Sequence, residues 1–271
     1  MEESSIPGPS KEFRPYWTRP RRPVQGDIVK RRGSGSKPSR TSDKVQVTYP
    51  ISHWAKLESL RDRAVRVINA LAGWNQTALT HGSVARGDVD EKSDVDVLIP
   101  SNVNTQLVEA ALENAGFTIF SKEIAQATPS HSPKAHLHLD PEQTTSVTVP
   151  LTPFRSLELE FYSFGGTVTL PQLGQKFRSP GCTKKLLLIE PIPEGHFESP
   201  VAGRESEVAK LLGVSVAIVI ERVRVLTRRD TVGRTGMYLR IPVRDGESFD
   251  EVLQNRSDSD PALRRTLRGR S

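Results

Sequence analysis

Between Trp54 and Leu71 the apolar positions Trp54, Leu57, Leu60, Ala64, Val65, Val67, Ile68 and Leu71 recur at three- and four-residue spacing. That period predicts an amphipathic helix, with Gly73 placed to end it. TALT then predicts a short strand and DVLIP a second, with an acid-rich loop between them. Asn104 stands where an N-cap belongs, ahead of a helix carrying Leu107, Val108, Ala111 and Leu112 and closed by Gly116. FTIF reads as a strand. AHLHL and SVTVP read as a hairpin around DPEQ, where Pro141 suits the second position of a type I turn. LELEFYSFGG fits a strand or a helix, and KKLLLIEPIP reads as a strand ended by prolines.

A boundary is expected at residues 191–200, PIPEGHFESP. Past it, GRESEVAKLLGVSVAIVIERVRVLTRR predicts two helices around a tight turn, and DTVGRTGMYLRIPV a β-hairpin. Residues 1–44 are rich in Pro, Arg, Gly and Ser and lack an apolar period, which predicts a basic, mostly disordered tail. Within it FRPYWTRP, with Phe13, Tyr16 and Trp17 among arginines, is expected to dock on its own domain or stack on bases, and DIVK to form a short edge strand. The predicted organisation is this tail, a main domain over 45–190, a small unit over 200–243 and a polar, frayed C-terminal tail over 244–271.

Composition changes this picture in three ways. Hydrophobic residues make up 35% and there are 20 prolines, which agrees with part of the chain lying outside a packed core. The single cysteine, Cys182, excludes an internal disulfide and fits a reducing compartment. The longest apolar runs, VSVAIVI and LLLI, are too short to span a bilayer, and no N-terminal signal pattern is visible, so a soluble cytoplasmic protein without a membrane partner is expected. Charge is distributed unevenly. Residues 1–44 hold 11 Lys/Arg against 5 Asp/Glu, residues 45–199 hold 13 against 17, and residues 200–271 hold 14 against 10. An acidic middle flanked by basic ends suits a polyanionic partner, although basic flanks also serve solubility alone.

The acid concentrates in HGSVARGDVDEKSDVDVLIP, residues 81–100. An EF-hand calcium loop starting at Asp88 fails, because Lys92, Ser93 and Ile99 occupy positions that need Asp or Asn, Gly and Glu. A solvated turn accounts for Asp88, Asp90 and Glu91. It accounts poorly for DVDVLI, whose alternation sets Asp94 and Asp96 on one strand face and Val95 and Val97 on the other. Two carboxylates so placed can share Mg²⁺ ions that bridge phosphate oxygens. HGS supplies a tight glycine turn opening a helix, where backbone N–H groups and the Ser83 hydroxyl suit phosphate, and Arg86 adds a guanidinium fork.

GSVARGDVDEKSDVDVLI resembles the signature of the DNA polymerase β-like nucleotidyltransferase superfamily, and is closest to its minimal prokaryotic and archaeal type. The resemblance spans roughly residues 52–165. It implies an α/β (α+β) fold with a short mixed sheet and helices on one face. It also implies that Gly82 and Ser83 hold the β- and γ-phosphates of an NTP such as ATP, that Asp94 and Asp96 bind Mg²⁺ or Mn²⁺, and that Arg86 faces phosphate. Such enzymes usually carry a third carboxylate on a later strand. The corresponding strand, TTSVTVP, offers Ser146 and Thr148 and no acid. Asp140 reads as a turn residue, and Glu160 is a weak third candidate if LELEF is a strand.

His136 and His138 alternate on one strand and lack further metal ligands at a suitable spacing, so a polar face is expected there. Cys182 lacks partners for a nucleophile role. Ala209, Gly213 and Val219 have the small, turn and core spacing of a helix-turn-helix, and the segment resembles a winged helix-turn-helix with RTGMYL in the wing. Arg222, Arg224, Arg228 and Arg229 then suit RNA or DNA phosphates, while Ala217 and Ile218 leave the start of the helix without base-reading groups. The expected function is metal-dependent transfer of an NMP from an NTP to a hydroxyl of a nucleic acid or protein. The alternative is a nucleic-acid-binding regulator with a catalytically degenerate, nucleotide-sensing domain. The sequence sets no oligomeric state.

Overall fold

A computed structural model describes residues 44–233 and 236–270. The expectations for the basic tail, FRPYWTRP and DIVK fall outside those residues, apart from Lys44, and so do Arg234 and Thr235 of the expected wing. Among the described residues, seven strands form one sheet in the order β11-β4-β5-β6-β3-β2-β7. They are β2 (Leu79–His81), β3 (Val95–Leu98), β4 (Ser121–Gln126), β5 (Lys134–His138), β6 (Thr145–Pro150), β7 (Thr167–Thr169) and β11 (Leu239–Val243). Strands β3 and β6 run parallel, and the other pairs are antiparallel. The sheet is therefore mixed, as expected.

The alternation seen in the sequence divides the two faces of this sheet. Val95, Val97, Ala135, Leu137, Val147, Val149 and Ile124 share one hydrophobic cluster with Leu57, Ala64, Val67 and Ile68 of α1 (Ile51–Ala70) and with Val108 and Leu112 of α3 (Thr105–Asn114). Helix α3 begins as its sequence predicts: Asn104 Oδ1 accepts from the N–H groups of Gln106 (2.9 Å) and Leu107 (3.3 Å). The opposite face carries Asp96, Ser146, Thr148, His136 and His138, in register across β3, β6 and β5. Helix α4 (Ser156–Gly165) lies against it, with the Lys134 ammonium over the rings of Phe154, Phe161 and Tyr162.

A second, antiparallel sheet has the order β1-β10-β9-β8, from β1 (Val45–Thr48), β8 (Gly181–Cys182), β9 (Leu187–Ile192) and β10 (Gly195–Pro200). Leu186, Leu188 and Cys182 pack with Phe164 of α4 and with Val208, Ala209, Ile218 and Val219. The last four belong to α6 (Glu205–Leu212) and α7 (Val216–Val232), which meet at Gly213 in a left-handed turn (φ 67°).

The structure corrects four expectations and decides one left open. Residues 191–200 are the end of β9, the turn and the whole of β10 in one hairpin, so they lie within a single sheet. LELEF is helical: at the helix start the Glu158 carboxylate reaches back to accept from the Arg155 N–H (2.9 Å), and Tyr162 and Phe164 are buried. FTIF precedes its strand, which starts at Ser121. LRIPV pairs with β4 at the edge of the large sheet, and the DTV of the expected hairpin is the end of α7; Pro242 is tolerated in β11 because an edge strand has a spare side. Residues expected to fray form α8 (Phe249–Ser259) and α9 (Pro261–Arg268), whose Phe249, Leu253 and Leu263 belong to the main cluster.

Candidate active site

Strand β2 ends at His81, and the chain reverses at Gly82 with φ 75° and ψ −143°, a conformation that glycine alone adopts without strain. The Gly82 N–H donates to the Gly166 carbonyl (3.0 Å), fixing this turn to the segment after α4. Nothing lies within 4 Å of where a side chain on Gly82 would sit, so a ligand can approach the backbone closely. The short helix α2 (Ser83–Arg86) follows. The Ser83 hydroxyl donates to Ser93 Oγ (3.1 Å), which also accepts from the Asp90 N–H (2.8 Å). Asp90 in turn accepts from the Lys92 N–H (2.8 Å). Asp90 and Ser93 therefore shape the loop that ends at Asp94.

Asp94 is exposed just before β3, and Asp96 is half-buried within it. Thr80 on β2 donates to the Asp96 carbonyl (2.9 Å). Partial burial, the charge of Asp96 and the smaller effects of Asp140 and Asp90 push the carboxyl of the mostly exposed Asp94 up, against the opposing pull of Lys184. Acids two residues apart in the chain, where the charge of one raises the pKa of the other, favour a shared cation or a shared proton. Ser146, opposite Asp96 on the parallel strand β6, donates its hydroxyl to Asp96 Oδ1 (2.6 Å). The neighbouring strand thus offers a neutral hydroxyl to the acid pair.

His81 and Tyr162 wall this region, with ring centroids 4.9 Å apart in an edge-on contact. Burial pushes the His81 imidazole down, with Asp96 pulling the other way. Burial, then Asp96 and Glu158, push the Tyr162 phenol up. His136 is held near 4 by burial and hydrogen bonds to Thr148 (2.9 Å), which fits the polar-face expectation. Sequence reasoning missed His81, Tyr162, Ser93 and the Ser146 contact. The D-x-x-S spacing of Asp90 and Ser93 is a local signal for the loop turn; Tyr162 had none.

Three expected site residues lie elsewhere or act otherwise. Arg86 points inward: it donates to the carbonyls of Gly165 (2.6 Å) and Cys182 (3.4 Å) and pairs with Asp88 (2.9 Å), with 7% of its side chain exposed. It ties α2 to α4 and β8 and is not free for phosphate. Glu160 projects from α4 toward α7, where its carboxylate accepts from the Ser215 N–H (3.2 Å) and the Ser215 hydroxyl, so it is not a third site acid. Arg222 lies over the Phe161 ring (5.0 Å) and 3.5 Å from Glu221, turned away from solvent. Arg224, Arg228 and Arg229 are exposed on α7.

No cluster of three His, Cys, Asp or Glu side chains suited to a metal occurs among the described residues. The donor set around Asp96 is two carboxylates and a hydroxyl. Mg²⁺ is commonly held by one or two carboxylates together with substrate phosphates. The residues therefore fit a divalent ion that arrives with a nucleotide, and they do not form a cage of their own. Asp140, whose charge reaches Asp94, holds the turn before β6 by accepting from the Thr144 N–H (2.8 Å).

No curated protein and no solved structure matches the chain. Residues 62–149 match the family model described as a nucleotidyltransferase domain. That span contains Gly82, Ser83, Asp94, Asp96 and Ser146, so the acid pair and the glycine turn lie within the segment that matches a nucleotidyltransferase domain, and the match supports general nucleotidyl transfer.

Proposed function

We propose that this chain moves an NMP from an NTP to a hydroxyl, with Mg²⁺ or Mn²⁺ held by Asp94 and Asp96, and that the acceptor is a nucleic acid. The observation that carries this reading is the acid pair beside the open Gly82 turn, within the matched domain. Bound at the pair, the metal supplies charge stabilisation for the phosphoryl oxygens and lowers the pKa of the acceptor hydroxyl. Asp94 and Asp96 provide two anionic donors from one strand face. Ser146 fixes the Asp96 carboxylate by its hydrogen bond. Gly82 lets phosphate approach the backbone, and the Ser83 hydroxyl, which donates to Ser93 Oγ, would turn from Ser93 to donate to a phosphate oxygen. Three exposed arginines on α7 and the basic flanks favour a nucleic acid over a protein acceptor.

The hydroxyl in place of a third acid is the observation behind the competing reading, a binding-only regulator. One experiment separates the two. Each NTP carrying a labelled α-phosphate is incubated with cellular RNA, DNA and protein fractions, using wild type and Asp94→Ala plus Asp96→Ala. Label in RNA or DNA that falls by about 10³-fold in the variant supports transfer to nucleic acid. Label in protein moves the acceptor to that class. No difference between the two proteins with any fraction removes the enzyme reading.

A further inference from the structure

Ring contacts beside the glycine turn lead outward to helix α7. His81, which precedes Gly82, meets Tyr162 edge-on at 4.9 Å. Tyr162 meets Phe161 edge-on at 5.3 Å, and the Arg222 guanidinium of α7 lies over the Phe161 ring at 5.0 Å. The Lys134 ammonium approaches the same ring to 5.9 Å. Phe161 is still 39% exposed, so part of its surface stays open beside α7.

Helix α7 continues this ledge. Its N-cap Ser215 donates its N–H (3.2 Å) to Glu160, the residue before Phe161. Val216, Ile220, Arg224 and Arg228 follow at four-residue spacing on one helix face. All four are exposed, Ile220 by 53%. Among the described residues no carboxylate pairs with Arg224 or Arg228. The face therefore runs from apolar surface beside α4 to positive charge without a partner. Such arginines complement a polyanion, and an exposed ring beside an isoleucine complements the faces of bases. A duplex keeps those faces stacked inside it. A helix that reads a duplex groove exposes polar groups in its first turns, where α7 exposes Val216, Ala217 and Ile220. The chemistry favours an unpaired strand.

We propose that the α4–α7 ledge binds the end of a single-stranded nucleic acid, with bases against Phe161 and Ile220 and phosphates on Arg224 and Arg228. This rests on the reading above that the acceptor is a nucleic acid. The contacts from Phe161 through Tyr162 to His81 lead the terminal hydroxyl of that strand toward the Gly82 turn and the acid pair.

The test is fluorescence anisotropy of the full chain with a labelled strand of about twelve nucleotides, as RNA and as DNA, over a range of salt. The same strand is also presented as a duplex and with abasic sites in place of its bases. Wild type is expected to bind the single strand at least about tenfold more tightly than the duplex or the abasic strand. Phe161→Leu and the fully surface change Ile220→Ser are each expected to weaken single-strand binding by about fivefold, with abasic binding and melting temperature unchanged. Arg224→Gln plus Arg228→Gln should lower the slope of log K against log salt by about 1.4, as for two phosphate contacts on a single strand. Duplex or abasic strand bound as tightly as the single strand overturns the proposal. So does wild-type binding in both Ile220→Ser and the double arginine variant, and if label still enters RNA or DNA in the transfer assay the acceptor reading then stands without the ledge. Self-association of wild type that is lost in Ile220→Ser, read by light scattering, with strand binding unchanged, assigns the ledge to a second copy and also overturns it. A wild-type chain that binds no strand overturns both the ledge and the nucleic-acid acceptor.

Discussion

Asp96 and Ser146 face each other on the parallel β3–β6 ladder, and a hydrogen bond of 2.6 Å joins them. A carboxylate at position 146 would meet the acid pair directly. Ser146→Asp should therefore strengthen Mg²⁺ binding in the absence of nucleotide by about tenfold, roughly 1.4 kcal/mol, as read by titration calorimetry. Unchanged affinity would mean that this rung does not face the ion. The residues of the site differ in how far the sequence reveals them. Gly82, Ser83, Asp94 and Asp96 are legible because their roles depend on local backbone: a glycine turn and a two-residue alternation. The role of Arg86 is not legible, since its partners Gly165 and Cys182 lie 79 and 96 positions away. A guanidinium fork suits a pair of carbonyls as well as a phosphate.

Among the elements, helix α7 starts at Ser215, whose hydroxyl both caps it, accepting from the Ile218 N–H (3.4 Å), and donates to Glu160 of α4. Ser215→Ala should destabilise the chain by about 1 kcal/mol, the usual worth of an N-cap, as measured by urea unfolding. A loss well under that would mean that the α4–α7 contact rests on Phe164 with Val219 and on Arg222 over Phe161, not on this cap. Helices α1 and α3 and the β5–β6 hairpin are legible from the sequence because caps, turns and apolar period agree locally. Helix α4 is ambiguous there because Leu157, Glu158, Leu159 and Glu160 alternate like a strand. The Glu158 bond to the Arg155 N–H and the packing of Tyr162 and Phe164 decide the matter, and the latter depends on distant residues. Strand β11 cannot be assigned a partner from sequence, because Ile241 pairs with Ile124 across the whole middle of the chain.

For the molecule as a whole, the C-terminal helices close the fold. Arg270 reaches Glu158 (2.6 Å) and the carbonyls of Pro153 (2.8 Å) and Ser130 (2.6 Å), with 3% and 6% of the paired side chains exposed. Burial pushes the Glu158 carboxyl up, but hydrogen bonds from Arg270 and from the N–H groups of Arg155 and Ser132 outweigh it and hold it below the usual carboxylate range. A carboxylate depressed in the folded state adds stability that is present above its unfolded pKa and lost as pH falls through the folded one. Glu158→Gln should lower stability near pH 7 and flatten the decline at acid pH in melts from pH 7 to pH 3. A parallel decline in both proteins would place the acid sensitivity elsewhere. No helix among the described residues is long and apolar enough to cross a membrane. The excess of basic residues after position 200 includes the three exposed arginines of α7, which leaves that helix facing solvent with positive charge.

The central claim is that Asp94 and Asp96 act as one metal-binding pair for nucleotidyl transfer. The most direct measurement compares Mg²⁺-dependent transfer of labelled α-phosphate to nucleic acid by wild type and by Asp94→Asn plus Asp96→Asn, alongside the melting temperatures of both. Removing two like charges should leave the variant at least as stable as wild type, because the charge of Asp96 already disfavours ionisation of Asp94. The variant is expected to fold and its transfer to fall by about 10³-fold. A folded variant that transfers label at the wild-type rate would contradict it.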